Sequence, residues 1–145
     1  MSKEEKFTIT CSKEQLQLIA NAVEDWSRFL SGQCEMHNAT LMLENHRELY
    51  EELNKNVHPL VTPLLPRDAS YGWNGGNCPN EHQKKAIAMS YGIYRQILHF
   101  FAMQRSGDDW NVYKAETLTC PEQGGLIKIE PKVRVRSLPN NKTKK

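Results

Sequence analysis

Apolar and polar positions alternate at the start of the chain and then recur at helical spacing. In 6-KFTITC-11 every second residue is apolar or a cysteine, which predicts a half-buried strand. The next residues, 12-SKEQ-15, have the form of a capping box and predict a helix start. This first helix ends near Gly32, a cap or a close-packing point. Its apolar stripe is Leu16, Ile19, Val23, Trp26 and Leu30.

Two further helices are predicted downstream. The second spans 34–55 and is ended by Pro59 and Pro63. Its inner face consists of Met36, Ala39, Leu43, His46, Tyr50 and Leu53. Asn80 is expected to cap the third helix, with Gln83 reaching back to it. The apolar face of the third helix is broad enough for neighbours on two sides, and its main stripe is Ile87, Tyr91, Tyr94, Leu98 and Phe101.

The last part of the chain predicts short strands, 110-WNVYKAE-116 and 126-LIKIEPKVRV-135. We expect the early strand and these late strands to pair. The predicted fold class is therefore α+β, with three main helices packed with a small antiparallel sheet formed by an N-terminal strand and C-terminal strands. We expect residues 1–136 to form a single domain and residues 137–145 to form a basic, flexible tail.

Composition limits the classes of partner. The chain has 145 residues, 39% of them apolar, and a formal net charge of +2, which suits one globular domain and argues against a general polyanion binder. We therefore expect no specific DNA or RNA binding. No stretch approaches the ~20 apolar residues of a membrane span, so no membrane partner is expected. The four cysteines are scattered and no export signal precedes them, which predicts reduced thiols and a cytoplasmic location.

Few residue patterns suggest catalysis. Glu44, Glu48 and Glu51 share one side of the second predicted helix, as in magnesium-dependent nucleotide hydrolases. They alternate with Asn and Arg, which is typical of a solvated face. No nucleophile–base pattern, phosphate loop or dinucleotide motif is present. The sequence predicts no catalytic residue, no metal and no cofactor.

The segment 66-PRDASYGWNGGNCPN-80 suits a nucleotide-like ligand. Its glycines bring backbone N–H groups within reach of an anion, and its rings offer faces on which a base can stack. The contacting side chains would be Arg67, Ser70, Tyr71, Trp73 and Asn74. The alternative is a surface loop whose two rings plug the edge of the core.

Two arginines on predicted helices add to this hypothesis. Arg28 follows Trp26 on the first helix, and Arg95 lies within the apolar third helix. An arginine in such surroundings usually meets an anion, either a carboxylate or a ligand. Asp25 and Asp68 are candidate structural partners, so the pattern does not require a ligand.

These motifs together resemble a known family. A strand-to-helix start, 26-WSR-28, Gly32-Gln33, 69-ASYG-72 and Tyr94-Arg95 are similar to the phage Thoeris anti-defence "sponge" proteins, over roughly residues 7 to 103. The resemblance implies a phage protein that binds cyclic ADP-ribose-type immune signals, and for some members cyclic oligonucleotides, without cleaving them. It also implies dimers or higher homo-oligomers with pockets near subunit contacts.

The resemblance implies ligand contacts at Arg28, 69-ASYG-72 and Arg95. With the residues argued above, the candidate ligand-binding set is Arg28, Arg67, Ala69, Ser70, Tyr71, Gly72, Trp73, Asn74 and Arg95. The chain departs from the family pattern in the longer, more polar continuation 73–76 and in its acid-rich second helix. The alternatives are a phage accessory protein that binds a host protein and a magnesium-dependent nucleotide hydrolase that uses the Glu-rich helix.

Overall fold

The computed structural model of the protein describes residues 4–61, 80–105 and 111–132. Within these ranges lie four α-helices: α1 (Lys13–Leu30), α2 (His37–Leu41), α3 (His46–Val61) and α4 (Glu81–Gln104). Two 3₁₀ turns follow, Val112–Lys114 and Pro121–Gln123. No β-strand occurs among the described residues, so the predicted α+β fold with an antiparallel sheet is wrong. The predicted tail, 137–145, lies outside them.

The segments predicted as strands have no strand partners. Residues 4–12 belong to no helix or sheet, and Phe7 and Ile9 are 85% and 75% exposed. Alternation indicates a strand only where a neighbouring strand supplies backbone hydrogen bonds, and none does so here in the described chain. At the second predicted strand, the Asn111 side chain accepts a hydrogen bond from the Tyr113 N–H at 2.8 Å and starts a 3₁₀ turn instead. The third prediction also fails over 126–132, and 133–135 lie outside the described residues.

Helices α1 and α4 pack against each other in antiparallel orientation and contain most of the core. Gln83, in the first turn of α4, donates a hydrogen bond to the carbonyl of Leu30, in the last turn of α1, at 3.4 Å. Most of the extensive helix–helix contact in the described chain lies between this pair. The buried apolar residues on the two helices are Ala20, Ile87, Ala88, Tyr94, Ile97 and Ala102.

The predicted starts of the first and third helices are confirmed. Ser12 and Gln15 form the reciprocal capping box, with hydrogen bonds of 3.1 and 2.8 Å. Asn80 accepts hydrogen bonds from the N–H groups of His82 and Gln83 at 2.8 and 3.2 Å. The Gln83 side chain does not complete a second capping box, because it extends to α1 instead.

The second predicted helix is broken into two. Met36 and Asn45 have positive φ angles of 53° and 59°, which interrupts the helical backbone before α2 and before α3. None of the six residues predicted as its inner face is buried. Pro59 lies inside α3, near its end, and the helix continues to Val61.

A second neighbour covers another side of α4, as its broad apolar face predicts. The 3₁₀ turn Pro121–Gln123 packs against Gly92, where an added Cβ would lie 3.1 Å from the Gln123 Nε2. Gln123 is buried and donates a hydrogen bond to the Leu118 carbonyl at 3.0 Å. Among the described residues, no helix is long and apolar enough to cross a membrane.

Candidate functional site

Gly32 shapes the end of α1 that carries Arg28. The Gly32 N–H donates to the Phe29 carbonyl at 3.0 Å, and the Gln33 N–H donates to the Arg28 carbonyl at 2.8 Å. These two bonds, with a positive φ of 101° at Gly32, are those of a Schellman cap, for which glycine is the favoured residue. The sequence interpretation of Gly32 as a cap is therefore confirmed, and the cap brings Gln33 back onto Arg28.

Arg28 is paired with Glu24, one helical turn earlier. Its Nε and Nη2 both lie 2.9 Å from the Glu24 Oε2, and its Nη1 donates to the Gln33 Oε1 at 2.8 Å. Burial opposes the charge of Arg28, but the nearby Glu24 carboxylate outweighs it and raises the pKa of Arg28 above its usual value. Of the two structural partners considered from the sequence, Asp25 has another role, and Asp68 lies outside the described residues.

Asp25 anchors α2 to α1. Its Oδ1 accepts from the Asn38 N–H and its Oδ2 from the Ala39 N–H, both at 2.9 Å. The Asn38 side chain also donates to Asp25 at 3.1 Å and to Glu24 at 3.0 Å. The buried carboxylate thus satisfies N–H groups at the start of α2 that have no partner within the helix.

Arg95 stacks on a tyrosine from the segment after α4. Its guanidinium carbon lies 4.8 Å from the Tyr113 ring centroid, a cation–π geometry, and its Nη2 donates to the Val112 carbonyl at 3.5 Å. The Tyr113 carbonyl is 2.9 Å from the His99 Nδ1, which fixes this segment against α4. Among the described residues, no carboxylate forms an ion pair with Arg95.

Tyr113 brings the two predicted arginines into one cluster. Burial raises the pKa of Tyr113, and Glu24 raises it further. Arg28 and Arg95 lower it, Arg28 also through a hydrogen-bonding interaction. Burial, opposed by Arg28, raises the pKa of Tyr94 to about 12. We name Glu24, Arg28, Tyr94, Arg95 and Tyr113 the arginine–tyrosine cluster.

Two buried N–H donors at this cluster have no acceptor within the described chain. They are the Nε of Arg95 and the Nε2 of Gln33, whose Oε1 is already bound to Arg28. A buried donor without an acceptor costs about 1–3 kcal/mol. Arg95 is a member of the arginine–tyrosine cluster, and Gln33 is bound to another member, Arg28.

A cleft of about 180 Å³ opens on the α2–α3 side of Arg28. Its lining includes Arg28, Gln33, Glu35, His37 and Tyr50. The His37 and Tyr50 rings meet edge to face, with centroids 5.7 Å apart. The cleft therefore offers a guanidinium, a carboxylate and aromatic surface within one small volume.

The structure describes two of the nine candidate ligand-binding residues: Arg95, which stacks on Tyr113, and Arg28, which opposes the rise that burial causes in the pKa of Tyr113. The other seven, Arg67, Ala69, Ser70, Tyr71, Gly72, Trp73 and Asn74, lie outside the described residues. Sequence reasoning missed Glu24 and Tyr113. The four-residue step from Glu24 to Arg28 is a recognisable ion-pair spacing, whereas nothing local in the sequence links Tyr113 to Arg28.

The Glu-rich helix does not assemble a metal site among the residues described. Glu44, Glu48 and Glu51 are exposed, and no group of three or more His, Cys, Asp or Glu side chains in the described ranges could hold a metal ion. No protein-family model, curated protein or solved structure matches the chain.

Proposed function

We propose that the protein is a phage anti-defence protein that binds and sequesters a cyclic nucleotide-type immune signal. The ligand class, a cyclic ADP-ribose isomer or a cyclic oligonucleotide, follows from the resemblance of the sequence motifs to the sponge proteins. The proposed site of action is the host cell cytoplasm, where such a signal is produced. Capture without turnover needs preorganised contacts to the ligand but no general acid or base.

The observation that carries this proposal is that Arg95 stacks on Tyr113, a half-buried residue whose pKa is raised by burial and lowered by Arg28. Guanidinium groups are the side chains best suited to bidentate contact with phosphate. Arg95 has no carboxylate partner among the described residues, and its Nε is a buried donor without an acceptor there. A pyrophosphate or cyclic phosphate oxygen at this position would form an ion pair with Arg95 and accept a hydrogen bond from its Nε.

The Glu24 carboxylate sets a condition on the ligand. It already neutralises Arg28, so an anion must share or replace that contact. A ligand with two or more negative charges competes better than a monoanion, because Coulomb attraction to the pair of arginines grows with ligand charge. Cyclic ADP-ribose and cyclic dinucleotides both meet this condition.

A thermal-shift screen against cyclic ADP-ribose isomers and cyclic di- and trinucleotides tests the proposal. A ligand at 100 times its Kd adds about 2.7 kcal/mol to the free energy of unfolding. For a domain of this size, that corresponds to a rise in Tm of roughly 5–10 °C. Absence of a shift with every compound would refute the proposal.

Matched variants separate specific binding from general charge effects. Arg28→Ala and Arg95→Ala should each abolish the shift, whereas Arg105→Ala, which removes an exposed arginine at the end of α4, should retain it. Heat denaturation of the complex should release the ligand with unchanged mass. Magnesium-dependent loss of the ligand would instead favour the hydrolase alternative.

One observation favours a second candidate, an accessory protein that binds a host protein. Leu41, Met42 and Leu43 are consecutive and are 52%, 77% and 55% exposed, an arrangement typical of a protein contact. Under this alternative, Met42→Glu would abolish biological activity while Arg28→Ala and Arg95→Ala would leave it unchanged. The sponge hypothesis predicts the reverse.

A further inference from the structure

Residues 111–123 run back along α4 in the opposite direction, and we name them the strap. Near the end of α4, the Tyr113 carbonyl of the strap lies 2.9 Å from the His99 Nδ1. Further along the strap, Gln123 packs against Gly92, about two helical turns nearer the start of α4. The strap therefore forms a separate layer on one side of this helix.

Polar contacts, and not a buried apolar face, hold the strap on α4. Its buried residues are Thr117 and Gln123, both polar, whereas the apolar Val112 and Leu118 are 47% and 68% exposed. The Thr117 hydroxyl donates a hydrogen bond to the Gln96 Oε1 at 2.9 Å. A segment that buries little apolar surface opens at a lower free energy than a packed helix does.

The last part of the strap also allows movement. The Lys84 Nζ lies 3.4 Å from the Glu122 Oε2, and both side chains contact water, so this ion pair contributes little to stability. The chain then leaves the strap through Gly124, which has a positive φ of 82°, and Gly125. A Cβ added at either glycine would meet no other part of the described chain within 4 Å, so this end turns away from α4 without displacing a packed side chain.

Arg95 lies against the strap. Its guanidinium carbon is 4.8 Å from the centroid of the Tyr113 ring, and its Nη2 donates to the Val112 carbonyl at 3.5 Å. Its Nε is buried and has no acceptor within the described chain. A buried donor without an acceptor is destabilising, and lifting the strap would let water reach it. The closed arrangement therefore carries a cost that an open one does not.

We propose that the strap lifts from α4 while the helices stay folded, and that this movement controls the access of an anion to Arg95. In the closed state the strap itself contacts the guanidinium, through the Tyr113 ring and the Val112 carbonyl. In the open state the guanidinium is free to contact a phosphate. The control of access rests on the proposed function, whereas the movement does not.

Thr117→Val and Thr119→Val form a matched pair that tests the movement. Both replace a hydroxyl with a methyl group, but Thr117 is buried and bonded to Gln96, whereas Thr119 is exposed. Loss of one hydrogen bond should raise the open population about fivefold in Thr117→Val and leave it unchanged in Thr119→Val. The rate at which the Arg95 Nε–H exchanges with water, followed by ¹⁵N NMR without ligand, should rise by the same factor.

Urea separates lifting of the strap from unfolding of the whole chain. Lifting exposes little surface, so exchange of the Arg95 Nε–H in the wild type should depend little on urea, whereas exchange of the Ile97 amide, in the core of α4, should rise steeply with it. An Arg95 Nε–H that follows the urea dependence of the Ile97 amide would overturn the movement. Equal exchange rates in Thr117→Val and the wild type would also overturn it.

Titration with cyclic ADP-ribose tests the control of access. If only the open state binds, the apparent Kd is inversely proportional to the open fraction. The Kd of Thr117→Val should then be about fivefold lower than that of the wild type, and that of Thr119→Val should be unchanged. Faster exchange in Thr117→Val with an unchanged Kd would overturn the control of access. Absence of binding by all three proteins would refute the proposed function and this control with it, while the exchange rates alone decide the movement.

Discussion

Replacing Glu24 with glutamine tests the electrostatics of the arginine–tyrosine cluster. Glu24 is 6% exposed. Its Oε2 accepts a hydrogen bond from the Arg28 Nε at 2.9 Å and lies 2.9 Å from the Arg28 Nη2, and its Oε1 accepts a hydrogen bond from the Asn38 side chain at 3.0 Å. Glutamine has nearly the same shape and keeps an oxygen for Asn38, but it removes the negative charge that balances Arg28.

The expected loss of stability follows from these contacts. Breaking a fully buried ion pair by removing one partner costs about 3–5 kcal/mol. The Arg28 side chain is 37% exposed, so water solvates part of the charge that is left behind. We therefore expect Glu24→Gln to lower the free energy of unfolding by about 2 kcal/mol.

The same substitution should have the opposite effect on ligand affinity. Without Glu24, Arg28 is free to contact an anion, so cyclic ADP-ribose should bind more tightly to the variant than to the wild type. Urea unfolding followed by far-UV circular dichroism measures the first effect, and isothermal titration calorimetry measures the second. Glu51→Gln, on the exposed face of α3, is the control and should change the free energy of unfolding by less than about 0.5 kcal/mol.

Two results would refute this reasoning. If the free energy of unfolding of Glu24→Gln is within about 0.5 kcal/mol of that of the wild type, the Glu24–Arg28 pair does not act as a buried interaction. If the variant binds cyclic ADP-ribose more weakly than the wild type, Glu24 does not compete with the ligand for Arg28. The second result would leave Arg28 with a structural role only.

Two further predictions concern Asp25 and Tyr94. Asp25→Ala removes the acceptor for the Asn38 and Ala39 N–H groups and should lower stability by about 2–4 kcal/mol, with faster hydrogen exchange at these two amides; unchanged exchange would contradict the role assigned to Asp25. Burial raises the pKa of Tyr94 to about 12. The neutral Tyr94 side chain therefore makes its full contribution to the free energy of unfolding below the unfolded-state pKa near 10, and this contribution is lost as the pH rises from about 10 to 12. Over this pH range the free energy of unfolding of the wild type should fall by about 2–3 kcal/mol, and that of Tyr94→Phe should not. The same pH dependence in the two proteins would contradict this role of Tyr94.

The sequence predicted the features that depend on neighbouring residues. The caps at Ser12 and Asn80 were predictable because a capping side chain bonds to N–H groups two or three residues away. Gly32 was predictable as a cap because a left-handed residue after a helix favours glycine. The broad face of α4 correctly predicted neighbours on two sides.

The failures involve interactions between distant segments. Residues 6–11 and 110–116 alternate as strands do, but alternation cannot show whether a partner strand exists. The apolar stripe of α1 did not predict its buried face, which includes Glu24 and Ser27, because the carboxylate of Glu24 is paired with Arg28 and bound by Asn38. Part of the candidate site was predictable, since Arg28 and Arg95 stand out in apolar helices. Their meeting at Tyr113 depends on the path of the chain after α4.

The most direct test of the central claim follows the side-chain N–H signals of the cluster by ¹⁵N NMR during titration with cyclic ADP-ribose. The claim is that Arg28 and Arg95 converge at Tyr113 to hold an anion. It predicts large shifts of the Arg95 Nε–H and Gln33 Nε2 signals, as these buried donors gain an acceptor, and little change at Arg105. Unchanged Arg95 and Gln33 signals at saturating ligand would contradict the claim.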